Sequence, residues 1–139
     1  MLLAAGALSL LPRPAHALSP ELQATVRAWS GGTLPREARV LLDIAPLVEN
    51  GNAVPIRITV ESPMTAASFV QEIVVFNERN PQRDVARFTL SPANGRADVS
   101  TRIRLATSQQ LIALARLNDG SLWSHSVDVV VTLAACIEG

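Results

Sequence analysis

The sequence contains no lysine and no tyrosine, and it has a single cysteine. Without lysine there is no Schiff-base chemistry, and without tyrosine no phenolic acid–base step. One cysteine excludes an intramolecular disulfide and any zinc or iron–sulfur site built from several thiolates. Net charge is missing as well: 12 basic residues, all arginine, balance 12 acidic ones. Neutralising phosphates requires a basic excess, so nucleic acid and anionic membrane surfaces are not expected partners. What the chain does have is apolar material, 48% hydrophobic against 17% charged, which is enough to fold around a core. Its 139 residues fit one domain.

The first eleven residues are small and apolar, and Pro12, Arg13 and Pro14 separate them from Ala15-His16-Ala17. An apolar stretch ending in a small-x-small triplet is the layout of a secretory signal, cut after Ala17. The stretch is too short to span a bilayer, so no retained membrane anchor is expected. No basic residue precedes it, which places the signal's start upstream or makes Met1 an internal methionine. The expected organisation is a signal peptide over 1–17, a helix over 18–32, a β-sandwich over 33–133 and a C-terminal arm over 134–139. Export to the periplasm follows from the signal.

Ser19-Pro20-Glu21 reads as a helix start, with a capping hydroxyl, a proline suited to the first turn and an acid at the positive dipole end. Leu22, Val26 and Trp29 share one helical face, and Gly31-Gly32 ends it. Trp29 reads as a packing anchor. Beyond Gly32 the period changes to two. Strands are expected over 39–44, 54–60, 70–76, 85–90 and 99–105, with a last one through Val127, Val129, Val131 and Leu133. Pro55 points to an edge position or a strand start. The 111–117 run suits a strand or a short helix. Asn118-Asp119-Gly120 is a hairpin signal. About seven short strands after one helix predict an all-β chain, an immunoglobulin-like antiparallel β-sandwich with one N-terminal helix and a C-terminal cysteine-bearing arm.

The chemistry-bearing feature is Cys136, set past the final strand in Ala134-Ala135-Cys136-Ile137-Glu138. A thiol on a projecting tail in an oxidising compartment forms mixed disulfides, dimerises or carries a group. The other reading packs Cys136 at the sandwich end as a small apolar residue. His125 reads as a surface residue beside the last strand, and His16 leaves with the signal. Arg102 and Arg104 share a strand face, to bind an anion or to solvate that face. No metal set, cofactor loop or nucleophile–base pair accompanies the thiol, so no catalytic residue, metal or cofactor is assigned and a stand-alone enzyme is disfavoured.

The runs Val54-Pro55-Ile56, Glu61-Ser62-Pro63-Met64, Asn80-Pro81, 85–92 and 100–106, with the Asp119-Gly120 turn and a lone C-terminal cysteine, resemble the SoxY family. SoxY is the sulfur-carrier subunit of periplasmic thiosulfate oxidation. The resemblance implies an immunoglobulin-like sandwich paired with a SoxZ-like subunit. It also implies a carrier rather than an enzyme, with Cys136 holding cargo covalently while periplasmic redox enzymes act on it. In the family this cysteine stands in a Gly-Gly-Cys-Gly-Gly arm. Here Ala134, Ala135, Ile137 and Glu138 replace the glycines, so the chain resembles the SoxY-related branch with an AACIE arm. Alanine and β-branched isoleucine are stiffer than glycine. A carboxylate near the thiol disfavours the thiolate and repels anionic sulfur substrates. The alternative is a non-carrier binding module of a SoxYZ-like complex whose arm is inert.

Overall fold

The structure, a computed structural model, describes residues 17–133. One helix precedes eight strands in the order α1 (Pro20–Ser30), β1 (Val40–Asp43), β2 (Leu47–Val48), β3 (Val54–Val60), β4 (Val70–Asn77), β5 (Asp84–Thr89), β6 (Ala97–Ile103), β7 (Gln109–Leu117) and β8 (Leu122–Val131), with a 3-10 turn at Pro92–Asn94. The strands form a three-stranded sheet, β1-β3-β6, and a five-stranded sheet, β2-β8-β7-β4-β5. All pairings are antiparallel except β2 with β8. The architecture is therefore the expected sandwich with one N-terminal helix.

The chain that leaves β1 crosses at Pro46 to the other sheet and there becomes β2, so one edge segment serves both sheets. The core between the sheets is filled by alternate residues of facing strands, among them Leu42, Ile56, Ile58, Ile73, Val75, Leu111, Ala113 and Val129. Helix α1 builds a second, smaller core on the outer face of the five-stranded sheet. Leu22 and Val26 pack there on Val74, Phe76, Ile112 and Leu114. Both helix residues are fully buried, worth roughly 1.5–3 kcal/mol apiece. The helix ends are built as the sequence suggests. Ser19 Oγ accepts from Leu22 N–H, and Gly31 takes the left-handed conformation at φ 81°. Trp29 packs against the same small core and donates its indole N–H to Glu72, while Arg116 lies 4.5 Å above its ring.

The ambiguous 111–117 run is strand. It lacks a two-residue period because both faces are covered, one by the opposing sheet and one by α1. Of the two places expected for Pro55, the structure shows the strand start. Pro55 is not on an edge strand, since β3 is central between β1 and β6. It sits at the start of β3, where its missing N–H faces the side that β1 has already left: the last β1 pair is Asp43 with Arg57.

Candidate functional site

Cys136 and its neighbours Ala134, Ala135, Ile137 and Glu138 lie outside the described residues, as does His16. The structure does describe the root from which that segment departs. Val131 N–H donates to Ser108 Oγ at 2.8 Å. Thr132 N–H donates to the Val48 carbonyl at 2.9 Å, and its hydroxyl reaches the carbonyls of Val48 and Glu49. The Leu133 carbonyl accepts from Gly51 N–H at 2.8 Å. Gly51 is itself held from the other side, where its carbonyl accepts from Leu105 N–H. The last three described residues are thus clamped between the 104–108 loop and the turn after β2.

The 104–108 loop is fixed in turn by Asn80. Its amide nitrogen donates to the Arg104 carbonyl at 2.7 Å, and its amide oxygen accepts from Ala106 N–H and Gln109 Nε2. Asn80 is buried, and both polar atoms of its side chain have partners. The Asn80-Pro81 pair that carried part of the resemblance therefore has a structural duty: it holds the loop that holds the root.

Beside the root opens a groove of about 760 Å³. Val48 and Glu49, the residues bonded to Thr132, form one rim. Val54, Pro55 and Ile56 supply apolar lining, and Asp43, Arg57 and Arg102 supply charge. Arg57 is committed within this set. Its Nε donates to Asp98 Oδ1 at 2.8 Å, and a second nitrogen reaches Oδ2. The hydrogen bond from Arg57 is the main reason Asp98 is held below the ordinary carboxylate range. Arg102 lines the groove, and Arg104 lies one residue past the end of β6. On the neighbouring outer surface, Leu47 and Val130 are cross-strand partners exposed by 58% and 53%, and Leu133 is exposed by 59%.

His125 requires a correction. It is half-buried and not a free surface residue, with Nδ1 accepting the Leu42 N–H at 2.9 Å. That acceptor role places the proton of the neutral ring on Nε2, so the nitrogen left for other partners is a donor. Reading along the chain misses this contact, and it also misses the clamp of Ser108, Val48 and Gly51. Of these, only the Asn50-Gly51-Asn52 turn leaves a local signal.

Among the described residues, no group of three or more histidines, cysteines, aspartates or glutamates is placed to hold a metal ion. No helix among them is long and apolar enough to cross a membrane.

A search of curated protein sequences gave no match. Among solved structures, the chain is similar to the sulfur carrier protein SoxY from Chlorobium limicola f thiosulfatophilum, at 25% identity and a TM-score of 0.64 over 81% of this chain and 97% of that one. It is also similar to superoxide reductase (neelaredoxin) from Ignicoccus hospitalis, at 19% identity and TM-score 0.61, covering 68% and 80% of the two chains. A third likeness is superoxide reductase from Nanoarchaeum equitans, at 14% identity and TM-score 0.58, covering 69% and 100%. At those identities the two reductases share the fold alone. The model of the family described as sulfur oxidation protein SoxY matches residues 26–136, most of the chain and the whole sandwich, and the chain belongs to that family.

Proposed function

We propose that this chain is a non-catalytic carrier subunit of sulfur-compound oxidation, exported to the periplasm, that presents Cys136 on its C-terminal arm. The observation that carries this reading is the family match, which runs through the sandwich and ends on Cys136 itself. The clamped root supports it. An arm that hands cargo to other proteins needs a fixed base, and Val131, Thr132 and Leu133 are tied to two segments, residues 48–51 and the 104–108 loop.

In this reading the Cys136 thiolate bonds to a sulfur-containing cargo. A periplasmic redox enzyme takes up the two electrons released as that bond forms, and later enzymes process the bound group. A SoxZ-like subunit completes the carrier, and the exposed Leu47, Val130 and Leu133 beside the root offer it an apolar contact. Glu138 and Ile137 set the arm apart from a glycine arm, so cargo other than thiosulfate is within the proposal.

The test is the intact mass of the protein purified from its native periplasm under sulfur-oxidising conditions, with and without reductant. A reducible adduct mapping to Cys136, and absent from Cys136→Ser, is the expected result, and its mass identifies the cargo. A bare thiol under those conditions, with host sulfur oxidation unchanged in Cys136→Ser, would instead make the domain a binding module with an inert arm.

A further inference from the structure

We propose that His125 is an acid-sensitive latch between the two sheets, holding edge strand β1 against β8 only while its imidazole is neutral. Strand β1 has a paired neighbour, β3, on one side only. The Arg39 carbonyl accepts from Glu61 N–H, and β1 pairs with β3 residue by residue from Val40–Val60 to Asp43–Arg57. In an antiparallel ladder of that phase, the N–H of Leu42 points away from β3 toward the open edge. Its partner there is no backbone carbonyl. It is His125 Nδ1, 2.9 Å away and 83 positions along the chain, on the other sheet. An imidazole nitrogen accepts only when it carries no proton. Protonation puts an N–H on Nδ1 facing the N–H of Leu42, so an acceptor becomes a second donor. The ring must then turn away, and the Leu42 N–H is left without its partner in a half-closed seam.

A small cleft beside the ring is lined by Glu37, Ala38, Val40, Ser124 and Ser126. Glu37 is the acid among them. Arg36 and Arg39 are the nearby cations. Both are turned onto the Trp123 ring, with their guanidinium carbons 5.7 and 4.4 Å from its centre. Strand β7 sets Ala113 opposite His125, and β1 presents Val40 and Leu42 to the core, so neither adds a charge there. Asp43 lies opposite Arg57, where it lines the groove of the three-stranded sheet. The latch also has a route outward. Strand β1 runs on through Pro46 into β2, whose Val48 carbonyl holds Thr132 at the root. Opening β1 therefore slackens the segment that fixes the root, whatever the arm carries.

The test is amide hydrogen exchange of Leu42 by NMR, from about pH 8 down to about pH 5, corrected for intrinsic exchange, with Ile58 of β3, whose N–H faces β6 and not β1, as reference. In the wild type, Leu42 protection is expected to fall about tenfold or more relative to Ile58 across that range. His125→Asn supplies a non-titrating acceptor near the position of Nδ1, and its Leu42 protection is expected to stay flat. Long-range nitrogen–proton spectra of the wild type, which need no variant, are expected to show the Nε2–H tautomer at the upper pH. Flat wild-type protection, an equal fall in His125→Asn, or the Nδ1–H tautomer would each overturn the latch.

Discussion

Gln109 donates its side-chain amide to Asn80 Oδ1 at 2.8 Å, and its own amide oxygen accepts the backbone N–H of Arg79. Two buried amides thereby lock the loop after β4 to the start of β7. The same Asn80 side chain then holds Arg104 and Ala106. Replacing Asn80 with alanine removes the acceptor for two donors and the donor for one carbonyl, all in a site shielded from water. The expected loss is about 2–4 kcal/mol, larger than for a lone hydrogen bond because several buried groups lose partners together. Urea unfolding monitored by circular dichroism measures it. The Leu105 amide, which bonds to the Gly51 carbonyl, should also lose exchange protection. A change below about 0.5 kcal/mol, the range of ordinary surface substitutions, would show that the loop is held by other contacts.

Helix α1 stands or falls on two residues. Leu22 and Val26 are its fully buried side chains, and they cover Ile112 and Leu114 of β7 and Val74 and Phe76 of β4. Leu22→Ala leaves a cavity against all of these and is expected to cost about 2–5 kcal/mol. The damage should be local first. Trp29 sits on the same helix with its indole N–H on Glu72, so its fluorescence should shift red at a lower denaturant concentration than the sheet unfolds. Trp29 and sheet signals that remain coincident in Leu22→Ala would mean that helix and sandwich are one cooperative unit.

These two examples also mark what the sequence discloses. The helix is legible because its signals are local: a capping serine, a proline at the first turn, a glycine at the stop and apolar residues at helical spacing. Strand β3 is legible for the same reason, its apolar residues alternating from Val54 to Val60. Strand β7 is ambiguous because its second face is buried by a helix nearly ninety positions earlier, and burial on both faces erases the alternation. Strand β2 escapes because two residues, Leu47 and Val48, are too few to show a period, and they are held by their pairing with β8. At the candidate site, the lone cysteine stands out in one dimension. The groove beside its root does not, because residues 43–50, 53–57 and 100–102 meet only after folding. His125 escapes for a related reason, its partner being a backbone N–H on the other sheet.

The Arg57–Asp98 pair gives a pH prediction with a definite sign. The hydrogen bond from Arg57, ahead of the Coulomb attraction of Arg57 and of Arg96, holds the Asp98 carboxyl below its ordinary value in the folded chain. The unfolded chain therefore binds the Asp98 proton more tightly. Stability rises with pH through that window, so the pair's contribution is present above the unfolded carboxylate value and is lost as pH falls through the folded one. Both groups are open to solvent, so the contribution is small and is best read from the carboxyl itself. Following the Asp98 carboxyl carbon by NMR, Arg57→Gln should move its titration upward, toward that of an ordinary carboxylate. High salt gives a second handle. At about 1 M the Debye length shrinks to about 3 Å, which screens Arg96 but not a bonded guanidinium. The wild-type titration should then stay below that of Arg57→Gln even in high salt. If the two coincide there, long-range attraction rather than the hydrogen bond sets the shift, and the cross-strand contact contributes little to the outer face of the three-stranded sheet.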